Sequence, residues 1–195
     1  PFTGVVDLAP RTGLRVDARE ARAAAGALAG LGGARREGMW AAGALAGLGP
    51  DRLPLAEGAE PPRLPVMTLA EETRADLWST GVSVHHPVEF VREWLANRGC
   101  LTVAEVLAGR HGRRVGVGGL ITHRQRPMTA KGVIFLNLED ETGLLNVVVL
   151  PGVWDAHRQV ARRSVGVVIE GVVEYRDGVT NLVARRFHPW PEEVR

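Results

Sequence analysis

The amino-acid sequence predicts an α+β fold, in which a helical N-terminal half is followed by a five-stranded Greek-key β-barrel. Up to residue 112, apolar residues recur at helical spacing between capping and helix-stop signals. From Arg113 onward the apolar residues alternate with a period of two, as they do in strands. With 195 residues, 45% of them hydrophobic, the chain is long enough for one ordinary domain or for a small domain with helical flanks.

The first part of the helical half divides into two segments. Residues 1–48 are rich in Ala, Gly, Arg and Leu and predict short helices, with Asp17 and Glu20 at capping-box spacing before an Ala-rich run. This segment has few large apolar residues, so alone it would bury little surface. Residues 49–67 contain five prolines. Proline lacks an amide donor and disfavours helix in the residue before it, so this segment is predicted to be a linker.

Helix is predicted to resume over residues 68–112, a helical connector to the barrel. Thr68 and Thr102 each precede a glutamate by three residues, which is the spacing of a capping box. Pro87 stands where a helix is expected to start, because its missing N–H costs nothing there. The connector is therefore expected to contain several short helices.

Residues 113–190 are predicted to form five strands and one helix, and residues 191–195 a tail. On the second strand Ile134, Leu136 and Leu138 share one face and Phe135 and Asn137 the other. The expected elements in chain order are the strands RVGVGGLITHR, GVIFLNLEDE and LLNVVVL, the helix VWDAHRQVARR, and the strands SVGVVIEGVVEYR and VTNLVARRFH, with Asp177-Gly178 as the hairpin turn between the last two. Three strands, a helix and a two-stranded hairpin make the order of an OB-fold barrel. The first strand contains several glycines and is expected to bend or bulge.

Several classes of protein are excluded by composition. Cys100 is the only cysteine, so neither an internal disulfide framework nor a cysteine-based zinc site is expected. No window approaches the roughly 18 consecutive apolar residues of a membrane span, and the N-terminus lacks the layout of a signal peptide. The simplest location is the cytoplasm, without a membrane partner.

No catalytic residue and no metal site are predicted in this chain. Phosphate-binding, nucleophile-elbow and dinucleotide glycine motifs do not occur in the sequence. Asp140 and Glu141 could suggest a metal site, but no third ligand has a recognisable spacing, and an acidic turn at a strand end is the simpler interpretation. His85 and His86 precede Pro87 at a helix entry and lack the spacing of a helical zinc pair.

Nucleic-acid binding is the stronger hypothesis. Residues 113–190 hold 11 Lys and Arg against 7 Asp and Glu, so the positive charge concentrates in the barrel. Single strands are held by cations along the phosphates and by flat side chains under the bases. An OB barrel offers strands two and three for this, with the loops that join strands one and two and strands four and five. Phe135 could stack on a base or simply cover the barrel. The loop HRQRPMTAKG between the first two strands carries Arg124, Arg126 and Lys131, which are expected to contact phosphates or to be solvated surface. The candidate binding residues are Arg124, Arg126, Lys131, Phe135, Asn137, Asn146, Arg176, Asn181 and Arg185.

A resemblance to a known family is carried by the stretch THRQRPMTAKGVIFLNLEDETGLLNVVVLPGVWDAHRQVARRS. This stretch resembles the C-terminal OB region of bacterial error-prone DNA polymerases of the ImuC family, related to the DNA polymerase III alpha subunit. ETRADLWSTGVSVHHPVEFVREWL resembles the helical piece before that barrel, and FTGVVDLAPRTGLRVDAREARAAAGAL is similar to the tail of the family's helix-hairpin-helix region. The resemblance implies a C-terminal fragment of a DNA-directed polymerase used in damage-induced mutagenic translesion synthesis. It assigns single-stranded template binding to the barrel. The family's Mg²⁺ chemistry would belong to a palm domain whose motifs do not occur here, so no cofactor is expected in this piece, and whether it counts as an enzyme is open.

Departures and alternatives accompany the resemblance. Residues 49–67 lack the clamp-binding peptide of replicative alpha subunits, which fits a branch that reaches the clamp through a Y-family-type partner. Residues 1–48 lack a clear hairpin motif for duplex binding. GVIFLNLEDETG also resembles the anticodon-binding barrel of class II aminoacyl-tRNA synthetases, although that family usually has Arg where this chain has Glu139. A third alternative is a barrel that docks on protein and contacts no nucleic acid.

Overall fold

The computed structural model describes residues 1–31, 33–45, 62–176 and 178–191. The chain divides into two compact units, Pro1–Val84 and His85–Arg195. The segment expected to be a connector, 68–112, thus contributes to both units. Most of the segment expected to be a linker, 49–67, lies outside the described residues.

The first unit is built from helices around a small apolar cluster. Arg19 lies buried among them, and its guanidinium donates to the carbonyl of Leu45 at 3.0 Å. The cluster consists of Val5, Leu8, Ala23, Leu28, Ala41, Ala42 and Leu45. The helices are α1 (Val5–Thr12), α2 (Val16–Ala24), a short 3₁₀ helix (Ala29–Leu31), α3 (Arg35–Ala44) and α4 (Leu69–Thr80).

The helix caps test the capping boxes that the sequence predicts. The Thr68 hydroxyl accepts from the amide of Glu71, and the Glu71 carboxylate accepts from the amide of Thr68, so this box is confirmed. The box at Asp17 is wrong. Helix α2 begins at Val16, one residue before Asp17, and the Asp17 carboxylate accepts instead from the Arg15 guanidinium and the Ala18 amide. A capping spacing alone does not determine where the first helical turn closes.

The second unit begins with short helices. A 3₁₀ helix (Pro87–Val91) leads into α5 (Arg92–Ala96), and α6 (Val103–Leu107) follows. The Nδ1 atom of His86 accepts from the amide of Val88, so the His86 side chain caps the helix that Pro87 opens. The capping box that opens α6, between Thr102 and Glu105, is confirmed.

The rest of the second unit is a closed β-barrel with the strand order β1-β2-β3-β5-β4. All pairs are antiparallel except β3 with β5, which is parallel. The bulge expected in β1 lies between Ile121 and His123. The elements are β1 (Arg114–Gln125), β2 (Ile134–Asp140), β3 (Gly143–Val149), α7 (Pro151–Arg163), β4 (Gly166–Arg176) and β5 (Val179–Pro189), with a 3₁₀ turn (Met128–Ala130) between β1 and β2.

The barrel core consists of the inward faces of all five strands, closed by α6 and α7. Leu136, Leu138, Leu145 and Val147 are among its fully buried side chains. A second apolar cluster lies outside the barrel wall, where Leu95 and Trp190 pack near Val168. Glycine permits this close approach: a Cβ on Gly118 would lie 2.1 Å from a methyl carbon of Leu95, and one on Gly166 would lie 2.3 Å from the Trp190 ring. The barrel with its helices is α+β, as predicted.

Candidate nucleic-acid interface

The candidate site begins with the outward face of β2. Burial alternates strictly along this strand: Ile134 and Leu136 are 3% and 1% exposed, whereas Phe135 between them is 40% exposed. Asn137 is half-buried on the same outward face. The inward face is filled by aliphatic side chains, so the Phe135 ring is not needed in the core. It offers an apolar plane to solvent.

Strand register brings four of the predicted residues onto this one face. Asn137 lies opposite Asn146 on β3, and Asn146 lies opposite Asn181 on β5. Phe135 lies opposite Val148, one row along. The outward face of β2, β3 and β5 therefore carries one exposed aromatic ring beside a row of three side-chain amides. We call this surface, defined by Phe135, Asn137, Asn146 and Asn181, the aromatic face.

Arg124 was expected to extend from the loop between β1 and β2, and the structure places it elsewhere. It lies within β1, opposite Leu136, and its Nε and Nη2 atoms donate to the carbonyls of Ala161 and Ser164 at 3.0 and 2.5 Å. Burial there lowers the pKa of Arg124 from its ordinary value. The last carbonyls of a helix lack partners within the helix, so Arg124 stabilises the C-terminal end of α7.

The loop between β1 and β2 carries the other two predicted cations. Arg126 and Lys131 are exposed, and Lys131 has a φ of +49°, in the left-handed region. Met128, between them, is fully exposed. Both cations lie in the loop that leads into β2, the strand that carries Phe135.

The β4–β5 hairpin carries Arg176 at the end of β4, opposite Val179. Asp177, the first residue of the predicted turn, lies outside the described residues, while Gly178 has the positive φ of +80° that the turn requires. Tyr175 is 60% exposed beside the turn. The hairpin therefore carries one cation and one aromatic ring beside the start of β1, since Arg114 lies opposite Val172 of β4.

Arg185 does not join the aromatic face. It is the extra residue of a bulge in β5, because Glu170 of β4 lies opposite Arg186 and the next residue, Gly171, lies opposite Ala184. Arg185 and Arg186 are consecutive and both exposed, and both line a groove to which β2 and β3 contribute no residue. Sequence reasoning missed this groove. The available signal was the Ala-Arg-Arg-Phe run, which breaks the alternation expected of a regular strand.

The acidic pair at the end of β2 forms ion pairs. Arg92 Nη2 donates to Asp140 at 2.9 Å, and Arg92 Nε and Nη2 donate to the two oxygens of Glu141 at 2.6 and 2.7 Å. Asp140 also accepts from the amides of Val103 and Thr142 and from the Thr142 hydroxyl. Burial alone would raise the pKa of Asp140, but these hydrogen bonds and the charge of Arg92 outweigh it, so the pKa lies below its ordinary value.

The histidines and the remaining acidic residues give no metal centre within the described parts of the chain. His85 Nδ1 lies 3.0 Å from the Glu89 carboxylate, and His86 caps a helix. Among the described residues, no group of three His, Cys, Asp or Glu side chains could hold a metal ion. Nor, in those residues, is any helix long and apolar enough to cross a membrane.

Comparison with known families identifies the barrel. Residues 115–190 match the tRNA anti-codon family model, described as an OB-fold nucleic acid binding domain. The barrel is an OB-fold. The match begins inside β1 and ends just after β5, so it covers the OB-fold and none of the helices before it.

Proteins that match nearly the whole of this chain share a common name. The chain is 45% identical over 188 residues to "Error-prone DNA polymerase" of Mycolicibacterium paratuberculosis, covering 95% of this chain and 17% of that protein. It is 46% identical over 188 residues to the protein of that name in Mycobacterium tuberculosis H37Rv, with the same coverage. For Cutibacterium acnes the identity is 46% over 187 residues, covering 95% of this chain and 16% of that protein. The chain thus spans about a sixth of the length of these relatives.

Among solved structures, asparaginyl-tRNA synthetase from Pyrococcus horikoshii aligns at 21% identity with a TM-score of 0.40, covering 46% of this chain and 22% of that one. The assignment of the OB-fold rests on the family model and the strand order, and not on this alignment.

Proposed function

We propose that this chain is a segment of an error-prone DNA polymerase of the polymerase III alpha type, acting in damage-induced translesion synthesis, and that its OB-fold binds the single-stranded template. The similarity to proteins named error-prone DNA polymerase and the nucleic-acid-binding description of the OB-fold support the proposal. In this proposal nucleotidyl transfer and its Mg²⁺ belong to other parts of the polymerase, and the clamp is reached through a Y-family-type partner.

The observation that carries the binding proposal is the aromatic face. Phe135 is 40% exposed on a strand whose inward face is already filled, and amides lie in the neighbouring row. An aromatic plane accepts any base by stacking, and side-chain amides donate to and accept from base edges and sugars. Phe135 would lie under a base, while Arg126 and Lys131 would contact the phosphates beside it. Such binding tolerates many sequences, as a template site must.

The test is a fluorescence-anisotropy titration of the full chain with a labelled single strand at several salt concentrations. Phe135→Ala is expected to weaken binding by about 5- to 150-fold, because stacking on one base contributes ~1–3 kcal/mol. Phe135→Leu keeps an apolar cover on the barrel and should weaken binding nearly as much if stacking is the cause. Phe2→Ala is the matched control, because Phe2 is 39% exposed and lies outside the barrel.

A separate pair of cations tests the phosphate contacts. Arg126→Ala/Lys131→Ala should lower the slope of log affinity against log salt by about 1.4, since each phosphate contact on a single strand contributes about 0.7. Arg124 is left intact, because its removal would free two carbonyls at the end of α7. Absence of binding at low salt by the folded chain would contradict the proposal and favour a barrel that docks on protein.

A further inference from the structure

The groove next to the β5 bulge is a second feature of the barrel unit that the proposed function does not use. It has a volume of about 1260 Å³. The end of α5, the start of β1, and β4 and β5 line it, and β2 and β3, which carry Phe135, Asn137 and Asn146, contribute no residue. The groove is therefore distinct from the aromatic face.

The groove is strongly positive. Its lining holds five arginines and one carboxylate, Glu170, which already pairs with His188 at 3.1 Å. All five guanidinium groups belong to exposed residues, and within the described ranges none of them forms an ion pair with a carboxylate. The five are Arg98, Arg113, Arg114, Arg185 and Arg186.

The fold concentrates these charges. A regular strand would direct Arg185 and Arg186 to opposite sides of the barrel wall, one of them into the core. The bulge places both outside, between the buried residues Ala184 and Phe187. Arg114 begins β1 and lies opposite Val172 of β4, which also lines the groove. The arginines of β1 and β5 thus lie on the two sides of β4, along one wall of the barrel.

The groove is better suited to a charged backbone than to bases. Its floor includes Gly116 and Gly171, which have no side chain to keep a ligand away from the strands. The aromatic rings along it are already engaged: the Arg98 guanidinium lies 3.8 Å from the centre of the Trp94 ring, and Trp190 is 5% exposed. What remains available is a row of guanidinium groups, whose planar donors match phosphate oxygens in pairs.

We infer that this groove is a second DNA site, which binds the phosphodiester backbone without reading bases. The inference rests on the proposed function in one respect, that the polyanion is DNA. Five guanidinium groups around one groove, three of them fixed on β1 and β5, match a polymer that carries one charge per nucleotide. The site would hold a stretch of template beyond the one stacked on the aromatic face, or the backbone of a duplex.

The experiment uses the full chain and a labelled oligothymidine of about 20 nucleotides, longer than the ~4–16 nucleotides that one OB-fold covers. Arg114→Ala/Arg186→Ala is expected to lower the salt slope by about 1.4 and to weaken binding equally for different sequences. Arg114→Lys/Arg186→Lys keeps both charges and should keep the slope. Arg162→Ala/Arg163→Ala removes two exposed arginines of α7 outside the groove and should leave the slope unchanged.

The outcomes separate the two sites. We call Arg114→Ala/Arg186→Ala the groove variant. If Phe135→Ala weakens binding while the groove variant keeps the salt slope of the Arg162→Ala/Arg163→Ala control, the groove inference is overturned and the proposed function stands. If the groove variant lowers the slope while Phe135→Ala has no effect, the template site fails and the groove stands. The same titration with a labelled duplex shows whether the groove binds the backbone of single-stranded or of double-stranded DNA. Binding of the groove variant to a labelled polyglutamate is measured as well. If the variant loses this binding but keeps the salt slope for DNA, the inference is overturned, and an acidic protein is the better candidate for the ligand of the groove.

Discussion

At the scale of single residues, the partners of a side chain decide its role more than its type does. Arg124 and Arg126 are two positions apart, yet the first binds the carbonyls of Ala161 and Ser164 and the second is exposed in the loop. The sequence predicts both arginines in a basic loop and cannot separate their roles, since the two carbonyls lie 37 and 40 residues further along the chain. Phe135 is the opposite case, because the alternation around it already predicts its outward position.

Asp140 provides a prediction about pH. Its pKa is lowered in the folded protein, so its stabilising contribution is complete above the unfolded-state pKa of about 3.9 and is lost as pH falls through the lower folded-state pKa. Asp140→Asn should destabilise the barrel unit by about 2–3 kcal/mol at pH 7, because hydrogen bonds to a charged group are lost. Chemical denaturation at a series of pH values measures both effects.

The control for Asp140 is Asp155→Asn, since Asp155 is an exposed residue on α7 that forms no ion pair or side-chain hydrogen bond among the described residues. It should leave the free energy of unfolding at pH 7 within about 0.5 kcal/mol of the original. If Asp140→Asn also has no effect at pH 7, or if it keeps the full acid-induced loss of stability below pH 4, the interpretation of this carboxylate is wrong.

At the scale of elements, the five strands and α7 were predictable because two local signals agree, a period of two along each strand and turn residues between strands. The contacts made by glycine were not predictable. The sequence suggests that the glycines of β1 bend the strand, whereas Gly118 makes room for Leu95 of α5. The bulge in β5 was missed although the Ala-Arg-Arg-Phe run breaks the alternation, and only the register with Glu170 and Gly171 shows that Arg185 is the extra residue.

Gly118→Ala should therefore destabilise the barrel unit by about 1–3 kcal/mol, because the new methyl would lie 2.1 Å from the buried side chain of Leu95. Gly116→Ala is the matched control on the same strand, where the new methyl would lie 3.7 Å from Cys100 Sγ, an ordinary contact. Denaturant midpoints of the two variants give the comparison. Equal midpoints would show that α5 does not pack on β1 as described.

At the scale of the whole molecule, the described residues form two units with separate apolar clusters. The barrel cluster draws its buried side chains from Val103 to Phe187, and the first unit from Val5 to Leu45. The sequence indicated a helical part and a barrel part, but the dividing point between Val84 and His85 depends on contacts that no local pattern reveals.

Residues 85–195, produced alone, are expected to fold, because the barrel core and the helices that close it lie within that range. Circular dichroism with thermal melting would show a cooperative transition with a midpoint close to that of the corresponding transition in the full chain. Residues 103–195, which lack Val88, Val91 and Leu95 of the outer cluster, are the control and should melt at a lower temperature. A non-cooperative melt of residues 85–195 would contradict the division.

The closure of the barrel has one more consequence. Strands β3 and β5 pair over only three residue pairs, from Asn146 with Asn181 to Val148 with Val183, and this short junction is parallel. Parallel pairing is slightly less stable per residue, so the junction is the natural place for the barrel to open. A nucleic-acid strand that contacts both Asn146 and Asn181 would bridge the junction between β3 and β5. Under the proposed function, template binding would then slow amide hydrogen exchange along this junction, because a ligand that binds the closed barrel stabilises it.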